Sequence, residues 1–159
     1  MLHIRLITLG NLKERYWREA MAEYEKRLGA FAKLDAIELK EYRLPENPSE
    51  AEIELALDRE ADAILSSIPP RSYVVALCVE GKELDSFGLA DKLGAVMQEA
   101  GHLTLIIGSS HGLSAKVKKA ANLQLSVSKL TFPHQMMRVL LLETVYRSLS
   151  ILHGTKYHK

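Results

Sequence analysis

The tightest constraint in this sequence is a pair of short, unbroken apolar runs, Tyr73–Val79 and Leu103–Ile107. Neither alternates with polar residues, so each reads as a strand covered on both faces, the kind found in parallel sheets under helices. Helical patterns separate these runs from each other and from further strand candidates. That alternation predicts an α/β fold: a mostly parallel sheet with helices on both faces. Leu2–Gly10 reads as the first strand and Leu12–Leu28 as a helix, with Trp17, Ala20, Tyr24 and Leu28 spaced along one side. Leu34–Leu39 fits a second strand. The loop Leu44–Pro48 leads to Ser49 and Glu52, spaced as a capping box in which each side chain satisfies the other's backbone N–H. The acidic helix that follows runs to about Ile68 and stops at Pro69-Pro70.

Beyond Tyr73–Val79, Glu80-Gly81-Lys82 reads as a turn and Ser86–Ala100 as a helix. Leu103–Ile107 ends in Gly108-Ser109-Ser110-His111-Gly112. A short helix over Ser114–Asn122 and a strand at Leu123–Val127 lead to the loop Ser128–Pro133. Pro133 suits the first turn of a last helix running to about Leu152, and Gly154 is a natural stop for it. No repeat or Gly/Ser linker divides the chain, so residues 1–159 read as one domain.

Several function classes drop out. No apolar run reaches the roughly 18 residues a membrane helix needs. The first strand carries His3 and Arg5 and lacks a small-residue cleavage site, unlike a secretory signal. The one cysteine, Cys78, lies in an apolar run and reads as a buried thiol of a cytoplasmic protein. There is no G-x-G-x-x-G after the first strand and no P-loop around Gly81-Lys82. The histidines show no paired ligand spacing, so no metal is expected. A hydrolase or phosphatase would need an elbow motif or acids clustered at strand ends, and neither is present.

Net charge is only +1, but it is unevenly spread. Residues 114–159 hold eight Lys/Arg and one acid, Glu143, for +7; the preceding residues hold 13 cations and 19 acids, for −6. A neutral protein with one basic end suits a polyanion docking on one face, although a solvated basic surface has the same composition.

Three loops follow successive buried strands: Leu77–Gly81, Gly108–Gly112 and Ser126–Phe132. In open α/β sheets that edge is where ligands bind. Gly108 and Gly112 let backbone approach a flat ligand, although a plain strand-to-helix turn would also use them. Ser128-Lys129-Leu130-Thr131-Phe132-Pro133-His134-Gln135 gathers hydroxyls, a cation, an aromatic ring and an imidazole into one turn, more than a capping loop needs.

These segments carry a resemblance. Leu9-Gly10-Asn11-Leu12-Lys13, Ile107-Gly108, Ser128 through Arg138, Glu143-x-x-Tyr146-Arg147 and Tyr157-His158-Lys159 together resemble the RlmH family (ribosomal RNA large subunit methyltransferase H) of the SPOUT superfamily. The resemblance runs from the first strand to the last residue. It implies a C-terminal trefoil knot, with knot and cofactor site in about 73–159, and a homodimer. It implies S-adenosylmethionine bound by Leu77, Gly108 and Val127, Ser128, Lys129, Leu130, Thr131 and Phe132, largely through backbone. The implied reaction is methylation of N3 of a pseudouridine in the helix 69 loop of 23S rRNA, on the assembled ribosome. Ser109 and His111 depart from the family pattern, which often has a second glycine and Asn or Glu there.

A pyrimidine N3–H is a weak acid, so transfer needs positioning and a route for the proton. Candidate bases are His158 and Glu143, with Tyr157 stacking or hydrogen-bonding. The tail is expected to fold over the cofactor site, in its own chain or across the dimer. Lys129, Arg138, Arg147 and Lys159 are then expected to bind RNA phosphates. The plainer readings are a frayed tail, a Glu143–Arg147 helix pair, His134 as a first-turn residue, and Met136, Met137, Leu140, Leu141 and Val145 as core or dimer interface. A SPOUT enzyme for another RNA, such as a tRNA ribose hydroxyl, and a non-catalytic ribosome-binding factor are the competing functions.

Overall fold

In a computed structural model describing residues 1–159, five parallel strands form one sheet in the order β2-β1-β4-β3-β5. The strands are β1 (Leu2–Leu9), β2 (Ala32–Leu39), β3 (Tyr73–Glu83), β4 (His102–Ile106) and β5 (Leu123–Ser126). The helices are α1 (Arg15–Leu28), α2 (Glu50–Ser66), α3 (Ser86–Glu99), α4 (Ala115–Ala120) and α5 (His134–Leu152).

Side-chain alternation along each strand divides the core in two. Leu2, Ile4 and Leu6 of β1, with Val75, Leu103 and Leu105, pack under α1, α3 and α5. Ile7, Leu9, Val74, Ala76 and Ile106 point the other way, onto Ala61 and Ile64 of α2 and Val117 of α4. Helices therefore cover both faces, and that is why the strands read as continuous apolar runs. Cys78 belongs to the second layer as a buried free thiol. No helix is long and apolar enough to cross a membrane.

The capping box at Ser49 and Glu52 forms in both directions. Two boundaries differ from expectation. Helix α1 starts at Arg15 rather than Leu12, because the Leu12 N–H donates to Glu38 Oε2 at 3.2 Å and Arg18 donates to the Leu12 and Lys13 carbonyls. Those contacts hold residues 11–14 out of the helix.

The larger correction concerns Glu80-Gly81-Lys82. It is not a turn but part of β3, which continues along β5 after a register shift. Leu77 and Lys82 both pair with Leu125, so Cys78–Gly81 bow out of the ladder. Gly81 lies flat on β5: a Cβ there would stand 2.7 Å from the Gln124 carbonyl oxygen, so only glycine fits. Bulges of this kind re-aim side chains beside binding sites.

Candidate active site

The carboxyl ends of β3, β4 and β5 open into a cavity of about 680 Å³, within the range that holds small-molecule ligands. All three expected loops reach it. Leu77, Gly108, Val127, Ser128, Leu130, Thr131 and Phe132 line it, while Lys129 of the same stretch is exposed and does not. The last loop is held by its own hydroxyls: Ser126 Oγ donates to the Ser128 carbonyl, and the Leu130 N–H donates to Ser128 Oγ, each at 3.0 Å. Gly108 makes a close approach that no other residue could. A Cβ there would stand 2.3 Å from the Gly112 carbonyl oxygen.

Other lining residues extend these segments. His134 and Met137, from the first turn of α5, face the cavity, as do Cys78, Val79 and Glu80 of the β3 bulge. Lys118 of α4 pairs with Glu80 at the rim and holds its carboxyl below the usual range. Burial, with Glu80 nearby, pushes the Cys78 thiol up, away from thiolate character.

Arg138 is corrected by the structure. Expected on RNA phosphates, it is 2% exposed. Its Nη1 donates to Glu38 Oε2 at 2.7 Å, and Nη2 donates to the Leu9 and Gly10 carbonyls at 2.8 and 2.9 Å. Glu38 Oε2 also accepts the Leu12 N–H. The guanidinium thus ties the turn after β1 to the start of α5, which explains why the Leu9–Lys13 and Ser128–Arg138 segments come as a set. A charge count cannot distinguish such a buried cation from a solvent-facing one.

The tail is folded, not frayed, but not over this cavity. Tyr157 OH donates to Glu143 Oε2 at 2.8 Å, and its ring packs edge-on against Tyr146 and under the Arg147 guanidinium. Arg147 makes the expected i,i+4 pair with Glu143, at 2.7 and 3.0 Å. Its Nη1 also lies 3.3 Å from His158 Nδ1. A guanidinium only donates, so Nδ1 is the acceptor and the imidazole proton sits on Nε2. The His158 ring meets Phe87 edge-on. Burial, reinforced by the Glu143 carboxylate, raises the phenol pKa values of both Tyr157 and Tyr24.

None of Glu143, Arg147, Tyr157 or His158 lines the cavity. Glu143 lies six residues beyond Met137 on α5, about 9 Å along the helix axis. The expectation that the tail closes its own chain's site is therefore not met. Its acceptors are also occupied: the Glu143 carboxylate by Tyr157 and Arg147, His158 Nδ1 by Arg147. Lys159 is exposed at the end of the tail.

A family model described as predicted SPOUT methyltransferase matches residues 2–158. The chain belongs to the SPOUT methyltransferase family. Its fold recurs in a probable methyltransferase from Bordetella pertussis Tohama I, at 17% identity and TM-score 0.60 over 93% of this chain and 96% of that one. A methylase family protein from Neisseria gonorrhoeae matches at 15% identity and TM-score 0.52, over 90% and 81% of the two chains. The SpoU methyltransferase AviRb from Streptomyces viridochromogenes, in complex with the cofactor AdoMet, matches more loosely, at 13% identity and TM-score 0.46 over 98% and 59%.

This SPOUT methyltransferase departs from the expected pattern at Ser109, and the structure gives that serine a partner. Its Oγ donates to Glu60 Oε1 at 3.3 Å. Glu60, 4% exposed on α2, also accepts the Tyr42 N–H at 2.9 Å. Burial raises its carboxyl pKa. A buried carboxyl with two donors thus braces the Gly108–Gly112 loop from behind. His111 is exposed at the cavity mouth.

Proposed function

We propose that this chain is an RlmH-type enzyme, transferring the methyl group of AdoMet to N3 of a pseudouridine in the helix 69 loop of 23S rRNA. In this reading it works in the cytoplasm on assembled ribosomes, as a homodimer with the SPOUT trefoil knot. The observation that carries it is convergence. Leu77, Gly108, Val127, Ser128 and Leu130–Phe132, far apart in sequence, meet around one cavity in a chain that matches a methyltransferase family over residues 2–158.

The cavity suits the cofactor. Leu77, Ile107, Leu125 and Leu130 offer apolar faces for adenine, and Ser126, Ser128 and Thr131 offer hydroxyls to a ribose and an amino-acid moiety. Its one lysine, Lys118, is neutralised by Glu80, so no free ammonium opposes a sulfonium cation. AdoMet supplies an electrophilic methyl group. The Gly108 cradle and the 128–132 loop would hold the cofactor, and positioning of two reactants lowers a barrier by about 7–11 kcal/mol.

The proton on N3 needs an acceptor, and neither Glu143, Tyr157 nor His158 lines this chain's own cavity. A second copy resolves this. Val79 and Leu130, both lining the cavity, are 53% and 71% exposed, an apolar mouth suited to a partner's tail. Release from Arg147 frees the His158 Nδ1 lone pair of that tail to take the N3 proton, with Tyr157 placing the base. Glu143, saturated by Tyr157 and Arg147, positions the tail rather than abstracting a proton. Lys129 and Lys159, both exposed, serve the RNA, while Arg147 is held by Glu143.

The test is tritium transfer from labelled AdoMet to three acceptors: ribosomes lacking the modification, free tRNA, and ribosomes without the pseudouridine. Transfer to the first alone is expected. Transfer to tRNA makes this a tRNA enzyme, and failure to bind AdoMet in titration calorimetry makes it a non-catalytic factor.

A further inference from the structure

A second concavity opens on the same sheet edge. All strands run parallel, so the carboxyl end of β2 faces the same way as those of β3, β4 and β5. There, residues 40–43 and α2 enclose about 570 Å³, lined by Lys40, Glu41, Tyr42, Arg43, Arg59 and Glu60. Tyr42 is 44% exposed. Lys40, Arg43 and Arg59 all face solvent, and none of the three cations is ion-paired. Of the two carboxylates that line it, Glu60 is buried and accepts Tyr42 N–H and Ser109 Oγ, while the Glu41 side chain packs against Gly10, leaving three cations to two acids.

This concavity abuts the cofactor cavity. Ser109 lines one, Glu60 lines the other, and the hydrogen bond between them is the shared wall. An exposed aromatic ring among unpaired cations is the arrangement that binds single-stranded nucleic acid, with bases stacked and phosphates neutralised. The basic C-terminal third supplies less than its charge count suggests, because Arg138 is buried and Lys118 and Arg147 are paired.

We propose that this concavity binds the single-stranded RNA flanking the target nucleotide, with Tyr42 stacked on a base and Lys40, Arg43 and Arg59 on phosphates. It rests on the RNA-methyltransferase reading above and carries the RNA track from the cofactor cavity onto the acidic half of the chain. Because Lys40, Tyr42 and Arg43 are exposed, their substitution leaves the core intact.

The test measures methyl transfer to unmodified ribosomes by the full chain, its Lys40→Ala/Arg43→Ala double variant and Tyr42→Ala. Ribosome KM is expected to rise about tenfold in each, as loss of a stacked base or two phosphate contacts predicts, with kcat and AdoMet affinity retained. The slope of log affinity against log salt should fall by about 1.4 in the double variant. A charge-preserving Lys40→Arg/Arg43→Lys variant should restore both. Unchanged KM and slope in the double variant and in Tyr42→Ala, beside a wild type that transfers methyl, overturn the groove and leave the function standing. A wild type that binds AdoMet yet methylates no ribosome overturns both.

Discussion

Tyr157 reaches back from the tail to give its phenol proton to Glu143, 14 residues earlier on α5. That bond, with Arg147 stacked on the ring and bonded to the same carboxylate, turns a terminal segment into a docked element. A hydrogen bond to a charged group contributes about 1.5–3 kcal/mol, enough to favour the docked state without locking it.

Removing Tyr157–Lys159 therefore should leave the cofactor cavity intact while removing the groups proposed to complete the reaction. AdoMet affinity of the truncated chain is expected to stay within a few-fold of wild type in titration calorimetry, with methyl transfer lost. Loss of AdoMet binding would make the tail structural.

Arg138→Ala should unfold the protein more easily rather than only weaken RNA binding. The substitution strips Glu38 of its partner and leaves the Leu9 and Gly10 carbonyls without donors. Breaking a buried pair costs about 3–5 kcal/mol, and here the cost falls near the lower end because Glu38 is 43% exposed. Urea denaturation reads this directly. Lys129→Ala, at an exposed position, should leave stability unchanged and flatten the salt dependence of ribosome binding.

Gly108→Ala should abolish AdoMet binding. The added methyl collides with the Gly112 carbonyl, and relief requires the cofactor loop to move. Overpacking of this kind costs about 1–3 kcal/mol in stability, a loss the fold can survive with its cavity closed. Full AdoMet affinity in a folded Gly108→Ala variant would contradict the assignment of this loop.

Glu60 gives stability a pH dependence of known sign. Burial raises its folded pKa, so the native state binds this proton more tightly than the unfolded chain does. The stabilisation is fully present below the unfolded value of about 4.3 and is lost as pH rises through the folded value. Glu60→Gln, which mimics the protonated form, should flatten that part of the profile in urea melts across pH. Identical profiles would show that the carboxyl ionises freely in the native state.

Most of the architecture was legible because it is written in local patterns. Buried parallel strands produce unbroken apolar runs, Ser49 and Glu52 announce a helix start, and two of the three ligand loops sit where strands end. What local pattern could not reveal is long-range. The continuation of β3 through Gly81 depends on how β5 lies against it. The burial of Arg138 depends on carbonyls more than 120 residues away. The docked tail depends on a ring cluster built from α1, α5 and the chain end, including Tyr24, Tyr146 and Tyr157. The brace from Glu60 to Ser109 joins positions 49 apart, and neither residue signals the other.

Methylation of one pseudouridine of 23S rRNA, as proposed, is read at its own nucleotide by primer extension across helix 69. Ribosomes from a strain lacking the activity are incubated with the protein and AdoMet, and reverse transcriptase is run through the loop. A methyl group on N3 blocks base pairing, so a new stop at the pseudouridine is predicted, dependent on both protein and AdoMet. Read-through identical with and without the protein, in a sample that binds AdoMet, would contradict it.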